Sequence, residues 1–169
     1  LALMDPTARC VVLRERIKII KHYDYVLVDC GPSISLMNQN ALTFADKVLI
    51  PVSCDYLSLV GVKQILKTLR QINQSLMHPV TVMGVLPTFF DIRNRISTEA
   101  VHTLERYFKE KVLEPIRVNT KLREAPSKHM TIFDYAPDSR GALDYQWLTD
   151  AIVEMFCDTS LAKPVTVEA

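Results

Sequence analysis

Short apolar runs alternate with segments of helical periodicity along this chain. The apolar runs cover residues 25–29 (YVLVD), Lys47–Ser53 (KVLIPVS) and residues 80–88 (VTVMGVLPT), and a weaker run over residues 112–119 is interrupted by Pro115. The strands of a parallel sheet have sequences that are continuous apolar runs, because helices cover both faces of the sheet. The pattern therefore predicts buried strands in a mostly parallel sheet.

Four further segments carry apolar residues three or four positions apart, which is the spacing of one helix face. They predict helices at about residues 11–20, 58–76, 96–108 and 142–155, with Asp138 as the N-cap of the last helix. Alternating strands and helices are typical of an α/β fold, layered, with a mostly parallel sheet flanked by helices. We expect the 169 residues to form a single domain, with residues 160–169 as a flexible tail.

Composition narrows the possible functions. The net charge of +1 gives no overall attraction to nucleic acid, so contact with DNA requires a local basic patch. No apolar run approaches the roughly 18 residues that cross a bilayer, and the four cysteines lack the spacing of a zinc site or a disulfide framework. The first residues lack the features of a signal peptide. The chain starts with Leu1 rather than Met, which suggests a partial chain.

Asp29 ends the first apolar run and precedes a Cys-Gly-Pro-Ser turn. Ligands of open parallel sheets bind beyond the carboxyl ends of the strands, where an acid can hold Mg²⁺ directly or through water while the ion bridges phosphates. Gly31 would let the backbone approach a phosphate, and Pro32 would stiffen the turn. Asp29 could equally cap a helix beginning near Ile34, and the pattern alone does not separate the two hypotheses.

Eight motifs occur along the chain in the order that one known family has them. They are YDYVLVDCGPS (residues 23–33), NAL (40–42), AD (45–46), IPV (50–52), DY (55–56), LPTFFDIR (86–93), LREAPS (122–127) and YAPDSRGALDY (135–145). Over about residues 13–156 the chain resembles the ParA/Soj chromosome- and plasmid-partition ATPases, which are related to MinD. That family has YDYIIIDCPPS, T-(Y/F)-D-R, LSEAPS and YDPKSRGAxxY at the corresponding places.

The resemblance implies a P-loop NTPase-like fold and a cytoplasmic, nucleoid-associated ATPase. Such a protein binds ATP and Mg²⁺, forms a homodimer around nucleotide, binds DNA nonspecifically and responds to a ParB-like centromere-binding partner. Two alternatives stay open. One is a non-catalytic truncated remnant or dimerisation module. The other is a MinD-like positioning ATPase, which the C-terminal LAKPVTVEA disfavours because it has no broad apolar face for a membrane.

The resemblance also assigns site residues by their place in the motifs. Asp29 falls on the Walker B acid, the catalytic residue that holds Mg²⁺ through water. The residues assigned to nucleotide binding are Gly31 and Pro32 in the γ-phosphate switch, and Thr88, Arg117, Val118 and Asn119 beside the adenine. The family's Ile-Pro-Arg-Asn is Ile-Arg-Val-Asn here, so that Arg117 stands where the motif has proline.

No GxxxxGK[ST] or KGGxGK[ST] motif occurs in the chain. A P-loop supplies the N–H groups and the lysine that cradle the phosphates, together with a hydroxyl for the metal, and Asp29 alone cannot replace them. We therefore expect an N-terminally truncated, C-terminal part of such an ATPase, inactive by itself.

Between residues 91 and 128 nine Lys or Arg residues stand against six Asp or Glu residues. The candidates for phosphate contacts with DNA are Arg93, Arg95, Lys121, Arg123 and Lys128. Such contacts give salt-sensitive, sequence-independent affinity. A solvated helix face has the same charge pattern, so both interpretations stay open.

Overall fold

The computed structural model describes residues 11–17, 23–31, 35–76 and 80–157. In chain order its elements are α1 (Val12–Ile17), α2 (Leu36–Phe44), β1 (Lys47–Ser53), α3 (Tyr56–Leu76), β2 (Thr81–Thr88), α4 (Arg95–Phe108), α5 (Thr120–Glu124), α6 (Ile132–Tyr135) and α7 (Arg140–Cys157). Short 3₁₀ turns follow α4 at Lys109–Lys111 and α5 at Ala125–Lys128. The predicted α/β class is confirmed, whereas the predicted tail at residues 160–169 lies outside the described residues.

The two strands β1 and β2 pair in parallel. The Thr81 N–H donates to the Asp46 carbonyl at 3.3 Å, and the Cys54 N–H donates to the Thr88 carbonyl at 3.0 Å, so both strands run in the same direction. β1 has its predicted bounds, and β2 begins one residue later than predicted. The prediction of a parallel sheet is therefore confirmed.

The weak fourth run forms two isolated bridges, one to β2 and one to Phe90, which lies two residues beyond the end of β2. Parallel bridges join Val85 to Val112 and Phe90 to Arg117. Pro115 lies between these bridges and has no N–H to donate, which prevents a continuous ladder. The prediction of a strand over residues 112–119 is thus wrong in its continuity, although the position and the direction of the segment are as predicted.

Residues 25–29 form neither strand nor helix, so the prediction of a buried strand there is wrong. Their side chains are exposed, and that of Leu27 is 93% accessible. A continuous apolar sequence tolerates burial on both faces, but a strand also requires a neighbour to share its ladder of hydrogen bonds. Within the described residues, β1 and β2 are the only strands of the sheet.

The chain divides into two compact units. They are Leu1–Val48 with Lys63–Thr81, and Leu49–Val62 with Val82–Ala169. In the first unit, the Leu13 N–H on α1 donates to the Asn40 side chain on α2 at 3.1 Å. The Asn73 amide on α3 makes two hydrogen bonds with the backbone of Val80, at 2.9 and 3.1 Å. Side-chain amides therefore connect α1 to α2, and α3 to the start of the segment that leads into β2.

The second unit contains most of the apolar core. Its buried apolar side chains include those of Ile50, Val52, Val85, Leu86, Ala100, Leu104, Ile116 and Ala142. Fully burying a side chain of the Val or Leu class contributes about 1.5–3 kcal/mol, so this cluster is the main stabilising feature of the unit. It includes Ile116, whose N–H donates to the Pro87 carbonyl near the end of β2, at the candidate site described below.

Side-chain caps fix where the long helices begin. Asp55 accepts a hydrogen bond from the Ser58 N–H at 2.8 Å before α3, and Asn94 accepts from the Ile96 N–H at 3.0 Å before α4. At α7 the cap is Ser139, whose Oγ accepts from the Ala142 N–H at 3.2 Å. The prediction of Asp138 as this cap was therefore wrong by one residue. The two polar residues are adjacent, and only the serine has the capping geometry.

Two glycines should respond oppositely to alanine. A Cβ at Gly84 in β2 would lie 2.8 Å from Leu113 Cδ1, whereas a Cβ at Gly61 within α3 would meet no atom within 4 Å. We expect Gly84→Ala to lower the free energy of unfolding by about 1–3 kcal/mol through overpacking. Gly61→Ala should raise it by about 0.5–1 kcal/mol through helix propensity. Urea denaturation measures both changes. Equal effects of the two variants would contradict the close packing of Leu113 on β2.

Candidate functional site

The carboxyl end of β2 in the second unit brings together four of the predicted nucleotide-binding residues. Thr88 is the last residue of β2, and two positions later the Phe90 N–H donates to the Ile116 carbonyl at 3.1 Å. The Phe90 carbonyl accepts from the Val118 N–H at 2.9 Å. Residues 117–119 therefore lie beside the end of the strand, at the edge where parallel sheets bind ligands.

Phe89 connects β2 to this bridge in an uncommon conformation. Its φ is 53°, in the left-handed region that bulky residues rarely adopt, and its ring is 57% exposed. Such outliers cluster at functional sites, where the surrounding contacts hold them in place. Nothing in the sequence indicates this conformation, because an aromatic residue after a strand is usually extended.

Arg117 is bound to the buried carboxylate of Asp144, which was not among the residues predicted from the sequence. Asp144 on α7 is only 3% exposed. Its Oδ2 accepts from the Arg117 backbone N–H at 2.9 Å, and its two oxygens accept from Nε at 3.0 and 3.1 Å. Nη2 of the same guanidinium donates to Oδ1. One carboxylate thus fixes both the main chain and the side chain of Arg117.

Trp147, one turn after Asp144 on α7, completes the surroundings of this guanidinium. The Arg117 Cζ lies 5.9 Å from the centroid of the indole ring, within the range of a cation–π interaction. The hydrogen bonds to Asp144 raise the pKa of Arg117 above its ordinary value. The side chain of Arg117 is therefore held against α7, and a ligand at the strand edge meets the backbone of this residue first.

The two residues after Arg117 differ in what their side chains do. Val118 is about half exposed. Asn119 caps α5, because its Oδ1 accepts from the Lys121 N–H at 2.8 Å. The cap fixes the backbone of residue 119, so the strand edge presents an apolar side chain followed by an ordered turn.

Asp29 and Gly31 lie in the first unit, and both are exposed. The Gly31 carbonyl accepts from the Asn38 side-chain amide at 2.5 Å. Helix α2 is capped by Ser35, whose Oγ accepts from the Asn38 N–H at 3.3 Å. The alternative that Asp29 caps this helix is therefore wrong, and its carboxylate is accessible. Pro32 lies outside the described residues.

The described residues contain no cluster of three or more His, Cys, Asp or Glu side chains that could hold a metal ion. Mg²⁺ usually keeps several waters and binds one or two carboxylates together with substrate phosphates. An exposed single carboxylate such as that of Asp29 fits this manner of binding. Burial, followed by the charge of Asp29, raises the pKa of the neighbouring Cys30 thiol, which disfavours a thiolate there.

Three of the five predicted DNA-binding residues form exposed ion pairs. The pairs are Arg93 with Asp91, Arg95 with Glu99, and Lys121 with Glu124, at distances of 2.6–2.8 Å. The side-chain hydrogen bond from Arg93 lowers the pKa of Asp91 to about 2. The other two candidates, Arg123 and Lys128, are exposed and have no ion pair within the described chain. Their charges are the more accessible to a polyanion.

Lys121 belongs to a small network with Glu124 and Tyr135. Glu124 accepts hydrogen bonds from the lysine ammonium and from the tyrosine hydroxyl, both at 2.8 Å, and these bonds lower its pKa. The ammonium also lies 5.6 Å from the centroid of the Tyr135 ring. A DNA phosphate would have to compete with these contacts for Lys121.

Among the described helices, none is long and apolar enough to span a membrane.

Sequence comparison finds relatives over most of the chain. A family model described as an AAA domain matches residues 1–82. The chain is 39% identical over 145 residues to the sporulation initiation inhibitor protein Soj of Bacillus subtilis, an alignment that covers 85% of the chain and 57% of that protein. It is 33% identical over 153 residues to the chromosome-partitioning ATPase Soj of Treponema pallidum, covering 89% and 60%. The chain therefore spans about three-fifths of the length of these relatives.

Solved structures share the fold. Cyanothece McdA without ligand matches with a TM-score of 0.76 at 16% identity, covering 85% of the chain and 59% of that protein. The cobyrinic acid a,c-diamide synthase of Mycobacterium smegmatis with bound ADP and magnesium matches with a TM-score of 0.71 at 24% identity, covering 98% and 61%. At these identities the comparison establishes the fold alone, an α/β fold with a parallel sheet flanked by helices.

Removing the Asp144 carboxylate should destabilise the second unit. Asp144→Ala leaves the backbone N–H and the guanidinium of Arg117 without their acceptor. Since Arg117 is partly exposed, water replaces some of the loss, and we expect a decrease of about 2–3 kcal/mol in the free energy of unfolding. Asp150→Ala, on the exposed side of the same helix, should change it by less than about 0.5 kcal/mol. Urea denaturation compares the two variants, and equal losses would contradict the account of this pair.

Proposed function

Because the chain belongs to the ParA/Soj-type family of partition ATPases, we propose that it forms part of an ATPase that acts in chromosome or plasmid partition. The support is 31–38% identity to several relatives that are named as chromosome-partitioning Soj or ParA proteins. The activity is proposed for a longer protein that contains this chain, since the chain spans about three-fifths of its relatives. The chain contributes part of the nucleotide site to that protein.

The edge formed by the end of β2 and residues 117–119 is the observation on which this proposal mainly rests. It joins Thr88, Val118 and Asn119 at the carboxyl end of a parallel sheet, where nucleotides bind in open α/β folds. We assign this edge to the base of ATP. Arg117 belongs to it through its backbone, because its guanidinium is engaged by Asp144.

In the first unit, Asp29 takes the role of the acid that binds magnesium through water, and Gly31 with Pro32 forms the turn that faces the γ-phosphate. Magnesium supplies charge neutralisation at the phosphates when it is bound. Asp29 is exposed, and the helix that follows it in the described residues is capped by Ser35, so the Asp29 carboxylate is open to a hydrated ion. The Asn38 amide donates to the Gly31 carbonyl and so restrains the main chain of Gly31.

Nonspecific DNA binding is the second part of the proposed function. Arg123 and Lys128 are the principal contacts, and Arg93, Arg95 and Lys121 contribute once their surface ion pairs open. Exposed ion pairs are worth only about 0–1 kcal/mol, so phosphates can compete with them. We further propose a nucleotide-dependent homodimer, a ParB-like partner, and a cytoplasmic, nucleoid-associated location.

The role of Asp29 is tested by ATP hydrolysis in the longer protein. We expect Asp29→Asn to lower kcat by about 10- to 100-fold, the usual cost of losing a group that orients a metal through its outer shell. Asp24→Asn changes an exposed acid on the same segment and should leave kcat within about twofold. Phosphate release with and without DNA measures both variants.

Two results of this assay would change the proposal. An Asp29→Asn protein as active as the parent removes Asp29 from the metal site. A parent protein without any ATP hydrolysis favours the alternative function, a non-catalytic remnant or dimerisation module.

The DNA contacts are tested by salt dependence. Each phosphate contact adds about 0.9 to the slope of log affinity against log salt, so Arg123→Ala and Lys128→Ala should each reduce the slope by about 1. Arg14→Ala on α1 removes the same charge from a helix outside the proposed surface and should leave the slope unchanged. Fluorescence anisotropy with a short duplex measures all three. The same reduction in all three variants would indicate only a net-charge effect.

A further inference from the structure

The pairing of Phe90 with Arg117 determines which way the backbone groups of Arg117 point. In a parallel bridge one residue bonds with the neighbours of its partner, and here Phe90 bonds with Ile116 and Val118. Residues 112–119, which form the two bridges, are called the bridging segment. The N–H of Arg117 points to the side of this segment that faces away from β2. A half-buried N–H on that side requires an acceptor, because leaving it unsatisfied costs about 1–3 kcal/mol.

The Asp144 carboxylate is that acceptor. Its Oδ2 takes the Arg117 N–H at 2.9 Å, and the charge of the buried carboxylate is balanced by the guanidinium of the same residue. A proline at this position, as in the Ile-Pro-Arg-Asn motif, has no N–H and needs no acceptor. Arginine at position 117 and aspartate at position 144 are therefore mutually dependent in this chain.

We propose that Asp144 is a positioning residue for the base-facing turn at residues 117–119, acting through Arg117. The inference rests on the proposed function. The carboxylate holds the main chain of Arg117. This holds the next residue, Val118, in place to donate its N–H to the Phe90 carbonyl, and it orients the turn that leads to α5, which Asn119 caps. Trp147 restricts the guanidinium from a second direction, so that it cannot swing to the strand edge without losing both contacts.

This role differs from general stabilisation in its local effect. If Asp144 only contributed to global stability, its loss would increase exchange at every core amide by the same free energy. If it positions the turn, its loss acts first on the hydrogen bond between Val118 and Phe90. The amide of Leu86 within β2, whose side chain is buried in the core of the same unit, serves as the internal reference.

Amide hydrogen exchange on this chain tests the local effect. In Asp144→Asn an NH₂ group replaces one acceptor oxygen and faces the donors of Arg117. The acceleration at the Leu86 amide reports the loss of global stability, and we expect the acceleration at the Val118 amide to exceed it by about tenfold. The double variant Arg117→Pro/Asp144→Ala removes donor and acceptor together and should bring Val118 back within about threefold of the parent. Asp150→Asn is the matched control on the same helix. Unchanged exchange at Val118, or equal acceleration at Leu86, overturns the inference.

Kinetics of the longer protein test the link to nucleotide. A misplaced base contact weakens ground-state binding, so Asp144→Asn should raise the KM for ATP about 5- to 10-fold with kcat within about twofold. The ratio of kcat/KM for ATP over GTP should fall, and the double variant should restore it. If hydrolysis depends on Asp29 but Asp144→Asn leaves KM and base preference unchanged, this inference fails alone. A parent that neither binds nor hydrolyses ATP overturns the proposed function and the inference with it.

Discussion

The exchange of hydrogen bonds between Phe90 and the residues on either side of Arg117 is the interaction on which the candidate site depends. It lies two residues after the strand end at Thr88 and continues the contact that the Ile116 N–H makes with the Pro87 carbonyl of β2. It is the contact that holds residues 117–119 beside the end of the strand. The constraint is local, consisting of two backbone bonds, and it needs support on its outer side.

Asp144 supplies this support from a buried position on α7, where its carboxylate accepts the Arg117 N–H. A carboxylate that is almost fully buried is costly unless it is paired and hydrogen-bonded. Here one residue provides both a charge and a backbone donor, and Trp147 adds an aromatic face. Breaking such a pair by removing one partner is far more costly than replacing both. This asymmetry makes residues 117 and 144 a unit in any variant of the chain.

The sequence predicted the elements whose signals are local. The predicted bounds of β1 and α4 lie within one residue of those in the structure. A short stretch of sequence suffices for both, because it shows the apolar run of the strand and the three-to-four-residue spacing of the helix. The run at residues 25–29 was predicted to be a buried strand and is exposed. Its apolar side chains show only that it tolerates burial, whereas strand formation depends on neighbours that the pattern does not reveal.

The site was predictable in its location and not in its contacts. The motifs indicated Thr88 and residues 117–119, and the bridge at Phe90 joins them. Asp144 was missed because it is 27 positions from Arg117 and lies within a helix. One signal was present in the sequence: Asp144 is four residues before Leu148, on the predicted apolar stripe of the last helix, where a buried acid requires a partner. Phe89 carried no signal, because an aromatic residue after a strand does not indicate a positive φ.

The most direct test of the account is photo-crosslinking of the longer protein with an ATP analogue that carries an azide on the adenine ring, followed by peptide mapping. The account predicts that the label is found within residues 88–90 or 117–119, and that excess ATP prevents the labelling. Labelling confined to other peptides, with competition by ATP intact, would contradict the assignment of this strand edge to the base.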